Sequence, residues 1–271
     1  MFGLSFFCHP LLSFSVLFFR PPRDIIPVCR QHYLSIAGAG MSKQNLIGTY
    51  AERTVHALLK CHFEPDIAYH EVAYAGYIAD IKRGDSIVEI QSTQFYRLRS
   101  KLKAFTAECS VNVVYPVPRR KQIVWIDRKT GEVSKPRLSP KKGSVYSIFS
   151  ELVDLHELLL CPSLSFTVVL LNMTEYRYTS PDEKYPHSMR FGARRADRLP
   201  TEIVDTYTLS GRESYTALIP ESLGGSFTIS ELAEAAKISY RTAQKITTAL
   251  RTLGILREGG RRGRQLLLEL N

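Results

Sequence analysis

Residues 76–91 read GYIADIKRGDSIVEIQ. Two apolar runs flank a turn at Arg83-Gly84-Asp85, and the second run, Ser86 to Gln91, alternates. A period of two sends Val88 and Ile90 to one face of a strand and Glu89 and Gln91 to the other. The turn folds the two strands together, so Asp80 can approach Glu89. Two carboxylates converging on one point repel unless a cation lies between them. Hard oxygen ligands in that arrangement suit Mg²⁺ or Mn²⁺. Removing one of the two acids is therefore expected to stabilise a metal-free fold slightly.

On the N-terminal side, Ile47, Ala51, Thr54, Val55 and Leu58 recur at helical spacing, which predicts a helix over 44–60. Glu52 falls on the edge of its apolar stripe, where a carboxylate can look toward a neighbouring sheet. Strands are expected over 67–74, 76–82 and 86–91. A helix over 95–108 then turns Phe95, Leu98, Leu102 and Phe105 inward and Arg97, Arg99, Lys101 and Lys103 outward. Strands over 111–115 and 122–126 follow, then a basic loop, Ser139-Pro-Lys-Lys-Gly143, a helix over 145–159 and a strand over 164–177. This order describes an α/β sandwich with a mixed sheet. Residues 179–200 shift to Pro, Asp, Glu, Lys and Arg and read as a linker, with a connecting helix expected over 201–219.

The C-terminal stretch has its own pattern. Thr228 and Glu231 have capping-box spacing at the start of a short helix that ends at Ala236. Lys237-Ile238-Ser239 is a turn, and Tyr240 to Leu253 is a second helix with Ala243, Ile246, Leu250 and Leu253 inward. A strand at 254–257, a Gly/Arg tip from Glu258 to Gly263 and a returning strand at 265–270 complete it. Two helices at helix-turn-helix spacing followed by a basic hairpin make a winged helix. The expected organisation is an N-terminal extension (1–40), an α/β domain (41–178), a connecting segment (179–219) and a winged helix (220–271).

The chain has 271 residues, 44% of them hydrophobic, which is enough for a sizeable core. Its net charge of +10 and pI of 9.4 favour a polyanionic partner. Five cysteines, odd in number and without a CxxC pair, exclude a disulfide framework and a structural zinc site and fit a reducing, cytoplasmic compartment. His56, Cys61 and His62 are close in sequence but have no matching second pair, so they read as helix-end neighbours rather than a metal cluster. Residues 1–19 are apolar and aromatic. However, no basic residue precedes Leu11 to Phe19, and His9, Pro10 and two serines break the run. Neither a secretory signal nor a membrane span is met. The preferred reading makes residues 1–40 a dispensable extension from a misassigned start, with the folded part opening at Met41. An export or membrane segment is the alternative.

Asp80, eight intervening residues, then Glu89-Ile90-Gln91, with Glu52 on a preceding helix, resembles the PD-(D/E)xK nuclease superfamily over roughly residues 43–126. The resemblance implies a restriction endonuclease-like αβββαβ core around a mixed sheet. Within that superfamily the whole chain most resembles uncharacterised bacterial proteins that join such a core to a C-terminal winged helix. It assigns Asp80 and Glu89 as ligands of Mg²⁺ or Mn²⁺, assisted by Glu52 directly or through water. The family's catalytic lysine is replaced here by Gln91, which supplies no positive charge. Lys82, on the same strand face as Asp80, is the candidate to provide it, and Arg97 and Lys101 are further candidates. The implied activity is metal-dependent DNA endonuclease cleavage, in repair or defence. The alternative is a non-catalytic DNA-binding protein or regulator that keeps the nuclease scaffold.

DNA is the expected partner. Arg241 opens the recognition helix, where base contacts start. Arg261, Arg262 and Arg264 stand among Gly259, Gly260 and Gly263 at the hairpin tip and suit phosphates or a minor groove. Lys141 and Lys142, and Arg119-Arg120-Lys121, are placed for phosphate contacts. Double-strand cutting would call for a homodimer. The His-Glu pairs at 70–71 and 156–157 lack the second histidine of HExxH and carry no metal site.

Overall fold

A computed structural model describes residues 51–127, 129–179 and 195–271, with side chains for all of these but 51–53, 195 and 196. The expectations for residues 1–40, for a helix start at 44 and for the linker over 180–194 lie outside the described residues. The chain forms α1 (Ala51–Phe63), β1 (His70–Tyr74), β2 (Tyr77–Arg83), β3 (Ser86–Ile90), α2 (Arg99–Thr106), β4 (Ser110–Ile126), β5 (Arg137–Leu138), α3 (Phe149–Leu152), β6 (Leu164–Tyr178) and β7 (Arg195–Leu209). It continues with α4 (Gly211–Thr216), β8 (Ser226–Phe227), α5 (Ile229–Ala235), α6 (Tyr240–Thr252), β9 (Leu256–Arg262) and β10 (Gln265–Leu270).

The architecture is mixed α/β. The large sheet runs β1-β2-β3-β4-β6-β7, with β5 added on β4. β4 is parallel to both β3 and β6, and the other pairings are antiparallel. Successive residues of β4 face opposite sides, and each side meets its own helices. Val114 joins Val55 and Leu59 of α1, with Ile90, Val169 and Leu171. Val113 joins Leu102 and Phe105 of α2, Phe149 and Leu152 of α3, and Phe166. Burial of each of these phenylalanines contributes about 1.5–3 kcal/mol.

The helix expected over 145–159 is α-helical only at α3, between 3-10 turns at Val145–Ile148 and His156–Leu160, and residues 195–200 of the expected linker already belong to β7. Two further elements differ from the sequence-based expectation. β4 is one strand of 17 residues that runs through Pro116 and Pro118, where two strands were expected over 111–115 and 122–126. Proline lacks the N–H that a central strand needs, but β3 pairs with β4 only as far as Val114, and β5 pairs with it only from Gln122. Between those points that edge of β4 has no ladder to lose, and the register with β6 shifts between Pro118 and Arg120 to absorb the prolines. The second difference is β7. Residues 201–209 extend a strand antiparallel to β6, and helix is confined to α4. The run Thr201-Glu-Ile-Val-Asp-Thr-Tyr-Thr-Leu209 is rich in β-branched residues, which suit a pleated surface. Pairing with the long apolar β6 decides the matter.

In the C-terminal unit Thr228 caps α5 in a capping box with Glu231, and Ser239 caps α6. Strands β8-β10-β9 form a separate antiparallel sheet. Leu232, Ala243, Ile246 and Leu250 belong to the same hydrophobic cluster as Phe105 and Phe149. The unit therefore shares a core with the large sheet, and α6 lays its apolar face against the helical turns of residues 145–160.

Candidate active site

The antiparallel ladder between β2 and β3 runs from Arg83–Ser86 to Ile81–Val88 and then stops. Beyond that point carboxylates stand in for ladder partners. The Ile90 N–H donates to Asp80 Oδ2 at 2.8 Å, and the Asp80 N–H donates to Glu89 Oε1 at 3.1 Å. Both acids are thereby brought into the opening where the two strands part.

A helix from each side of the sheet reaches this opening. From α1, His56 places Nε2 at 3.2 Å from Asp80 Oδ2 and 2.6 Å from the Ile90 carbonyl oxygen. From α2, Lys101 pairs with Glu89 Oε2. Burial works against a charged His56 imidazole, but the hydrogen bond and charge of Asp80 and the Ile90 carbonyl outweigh it and raise the His56 pKa. Burial likewise opposes ionisation of Asp80, but the His56 hydrogen bond and charge and the Ile90 N–H hold its pKa below the usual value. Glu89, only 2% exposed, is pushed up to about 7 by burial and by the Asp80 charge, against the pull of Lys101. One acid is thus held ionised while its neighbour is poised near neutrality, an asymmetry common at functional centres.

The fastening of both acids overturns the expected effect of deleting one. Loss of Asp80 would leave the Ile90 N–H and the His56 ring without this acceptor, and loss of Glu89 would strand Lys101. An orphaned buried donor costs about 1–3 kcal/mol, so truncation to alanine destabilises.

Other proposed site residues sort by position. The Lys82 ammonium turns away, donating to the Gly84 carbonyl at 2.7 Å and lying 4.4 Å from the centre of the Tyr74 ring. The cation that reaches the acids is Lys101, because α2 crosses the Glu89 face of β3 while Lys82 lies beside the hairpin turn. Gln91 donates its side-chain amide to the Thr93 carbonyl and its backbone N–H to the Val114 carbonyl. Glu52 lies in α1, and its carboxylate lies outside the described residues. Among the described residues no group of three or more His, Cys, Asp and Glu side chains is placed to hold a metal ion, His56 with Cys61 and His62 included. His56 was missed as a site residue. Its spacing of four from Glu52, one helical turn, was the available signal.

A pocket of about 360 Å³ opens beside His56 and Ile90, and Lys141 and Lys142 stand on it. Behind it, the fully buried Glu175 of β6 bonds Lys121 at 3.0 Å, Arg177 at 2.7 Å and Arg198 at 3.2 Å. Burial alone would raise the Glu175 pKa, but Lys121 and Arg177 bring it down to about 2. This cluster could not be read from sequence, because its members come from three strands. Arg241, Arg261, Arg262 and Arg264 are all exposed in the C-terminal unit. Arg262 is tied to Glu231 of α5.

Residues 53–210 match the family described as Domain of unknown function (DUF8091). The chain belongs to the DUF8091 family. The match runs from α1 to the end of β7, so the large sheet, the acid pair and the pocket lie within the matched residues, and the C-terminal unit lies beyond them. An "Uncharacterized protein" of Treponema pallidum (strain Nichols) is 30% identical over 223 residues, covering 82% of this chain and 86% of its own length. No solved structure matches the chain.

Proposed function

We propose that the chain is a metal-dependent phosphodiester hydrolase acting on DNA, with a restriction endonuclease-like core and a C-terminal winged helix that holds the nucleic acid. The observation that carries this is the meeting of Asp80 and Glu89 where β2 and β3 part, next to a pocket bearing lysines. The donor set fits a hard divalent cation. Oxygens of Asp80 and Ile90 already converge on one N–H of His56, and Glu89 holds an ammonium, so cationic groups now occupy the faces of these acids. Asp80, Glu89 and the Ile90 carbonyl would hold Mg²⁺ or Mn²⁺. Such a cation supplies Lewis-acid polarisation and neutralises phosphate charge.

The protein's own groups supply the rest. Asp80 stays ionised under the influence of His56. Lys101 brings the positive charge that Gln91 lacks. A second reading, a non-catalytic DNA-binding scaffold, is favoured by Gln91 and by the pairing of both acids with cationic side chains. Incubation of the protein with plasmid, linear and single-stranded DNA, with Mg²⁺, with Mn²⁺ and with chelator, separates the two. Metal-dependent breakage supports hydrolysis, and binding without breakage under every condition supports the scaffold.

The C-terminal unit can serve DNA through the exposed side of α6, which carries Arg241, Gln244 and Thr248 while Ala243, Ile246 and Leu250 are buried. Arg261 and Arg264 at the β9–β10 tip are available for phosphates, whereas Arg262 must first leave Glu231. Each phosphate neutralised contributes about 0.9 to the salt slope on duplex DNA. Replacing Arg261, Arg262 and Arg264 with alanine in the full chain is expected to flatten that slope by roughly two units and to weaken all sequences alike. An unchanged slope in a binding titration would remove this hairpin from the interface.

A further inference from the structure

The pocket beside the acids is a product of strand lengths. β3 stops at Ile90 while β4 runs on to Ile126, and the stretch from Tyr115 to Pro118 is left without a strand neighbour on that edge. The notch has apolar walls from Tyr115, Pro116, Val117 and Met173. The basic loop 139–143 is clasped across β4 at both ends. The Ser139 N–H donates to the Lys121 carbonyl and the Gly143 N–H to the Pro118 carbonyl, both at 2.8 Å. Gly143 is required for this approach, since a Cβ there would lie 2.3 Å from Val117 Cγ1 and 2.8 Å from the Pro118 oxygen. The clasp fixes Lys141 and Lys142 at the pocket. Lys121 and Arg198, also in its lining, are anchored from behind by the buried Glu175.

Apolar walls with several anchored cations suit a ligand that is flat and apolar at one end and strongly anionic at the other. The volume lies in the range of sites that bury one small molecule. A paired base cannot enter such a notch without leaving its stack. An unpaired nucleotide can present its base to the apolar walls and its phosphate to the lysines.

We propose that this pocket receives one unstacked nucleotide of the substrate, its base against Tyr115, Pro116 and Met173 and its phosphate at Lys141, Lys142 and Arg198. The preferred substrate is accordingly single-stranded or frayed nucleic acid rather than intact duplex. The proposal rests on the hydrolase reading only for the use made of the bound strand; binding itself is measurable without cleavage.

The test uses the full chain in chelator and fluorescence anisotropy of a labelled single-stranded oligonucleotide, its blunt duplex, and a nucleoside monophosphate as competitor. The single strand is expected to bind about tenfold more tightly than the duplex, as one stacked base allows. Lys141→Ala with Lys142→Ala should flatten the single-strand salt slope by about 0.7 for each phosphate no longer neutralised. Thr93→Trp, at an exposed pocket position outside the core, should block single-strand binding and leave duplex binding unchanged. Equal or tighter duplex binding, or variants that bind the single strand like wild type, would overturn the proposal. Displacement by the monophosphate at equal affinity would also overturn it, assigning the pocket to a free nucleotide. Pocket-dependent single-strand binding without metal-dependent cleavage would keep this inference and remove the hydrolase. Cleavage without pocket-dependent binding would do the reverse.

Discussion

Asp80→Asn and Glu89→Gln are each expected to lower DNA cleavage by about 10²–10³-fold, the rate equivalent of several kcal/mol of lost charge stabilisation. These replacements keep shape and an acceptor oxygen while removing charge. In Asp80→Asn the side-chain oxygen can still accept from the Ile90 N–H, and in Glu89→Gln it can still accept from the Asp80 N–H. The fold should therefore survive, which alanine at either position would not guarantee. Cleavage rates in Mg²⁺, measured beside urea denaturation of the same preparations, check this. A variant that is folded and cleaves like wild type would take its residue out of the chemistry.

Glu175 carries the largest expected effect on stability. It is fully buried on β6 and holds Lys121, Arg177 and Arg198. Breaking a buried ion pair by neutralising one partner leaves the opposite charges uncompensated, at about 3–5 kcal/mol. Glu175→Gln should lose that much in denaturant unfolding. The pH dependence has a definite sign. The folded pKa of about 2 lies below the ordinary 4.5. The stabilisation is therefore fully present above the unfolded value and is lost as pH falls from 4.5 toward 2. Glu175→Gln should show a flatter stability profile across that window. Parallel profiles for wild type and variant would mean that the carboxylate is not held by these cations.

Legibility in the sequence followed the range of the interactions involved. The hairpin bearing Asp80 and Glu89 was readable because strand alternation and one turn, both local, decide where the acids go. The helix bearing Lys101 was equally plain from its apolar spacing, although which lysine would reach Glu89 depended on how α2 crosses the sheet. Lys82 lost that role to tertiary geometry. The continuity of β4 through Pro116 and Pro118 was not readable because the sequence does not say that this edge lacks a strand partner. The same gap between strand partners makes the pocket, so both were hidden together. Residues 201–209 read as helix although their β-branched side chains pointed to a strand, since the partner β6 lies across a stretch that reads as linker. The gathering of Lys121, Arg177 and Arg198 around Glu175 is a long-range assembly that no local spacing announces, and the reach of His56 to Asp80 and Ile90 had only its one-turn spacing from Glu52 as a local signal.

The most direct check on the Asp80–Glu89 opening as a divalent-cation centre is thermal unfolding of wild type and Asp80→Asn with increasing Mn²⁺. A ligand at ten times its Kd that binds only the folded state stabilises by about 1.4 kcal/mol, or roughly 3–5 °C for a chain of this size. Wild type should show that rise and Asp80→Asn should not. Mn²⁺ that shifts both proteins alike, or shifts neither, would contradict a cation site built on these two acids.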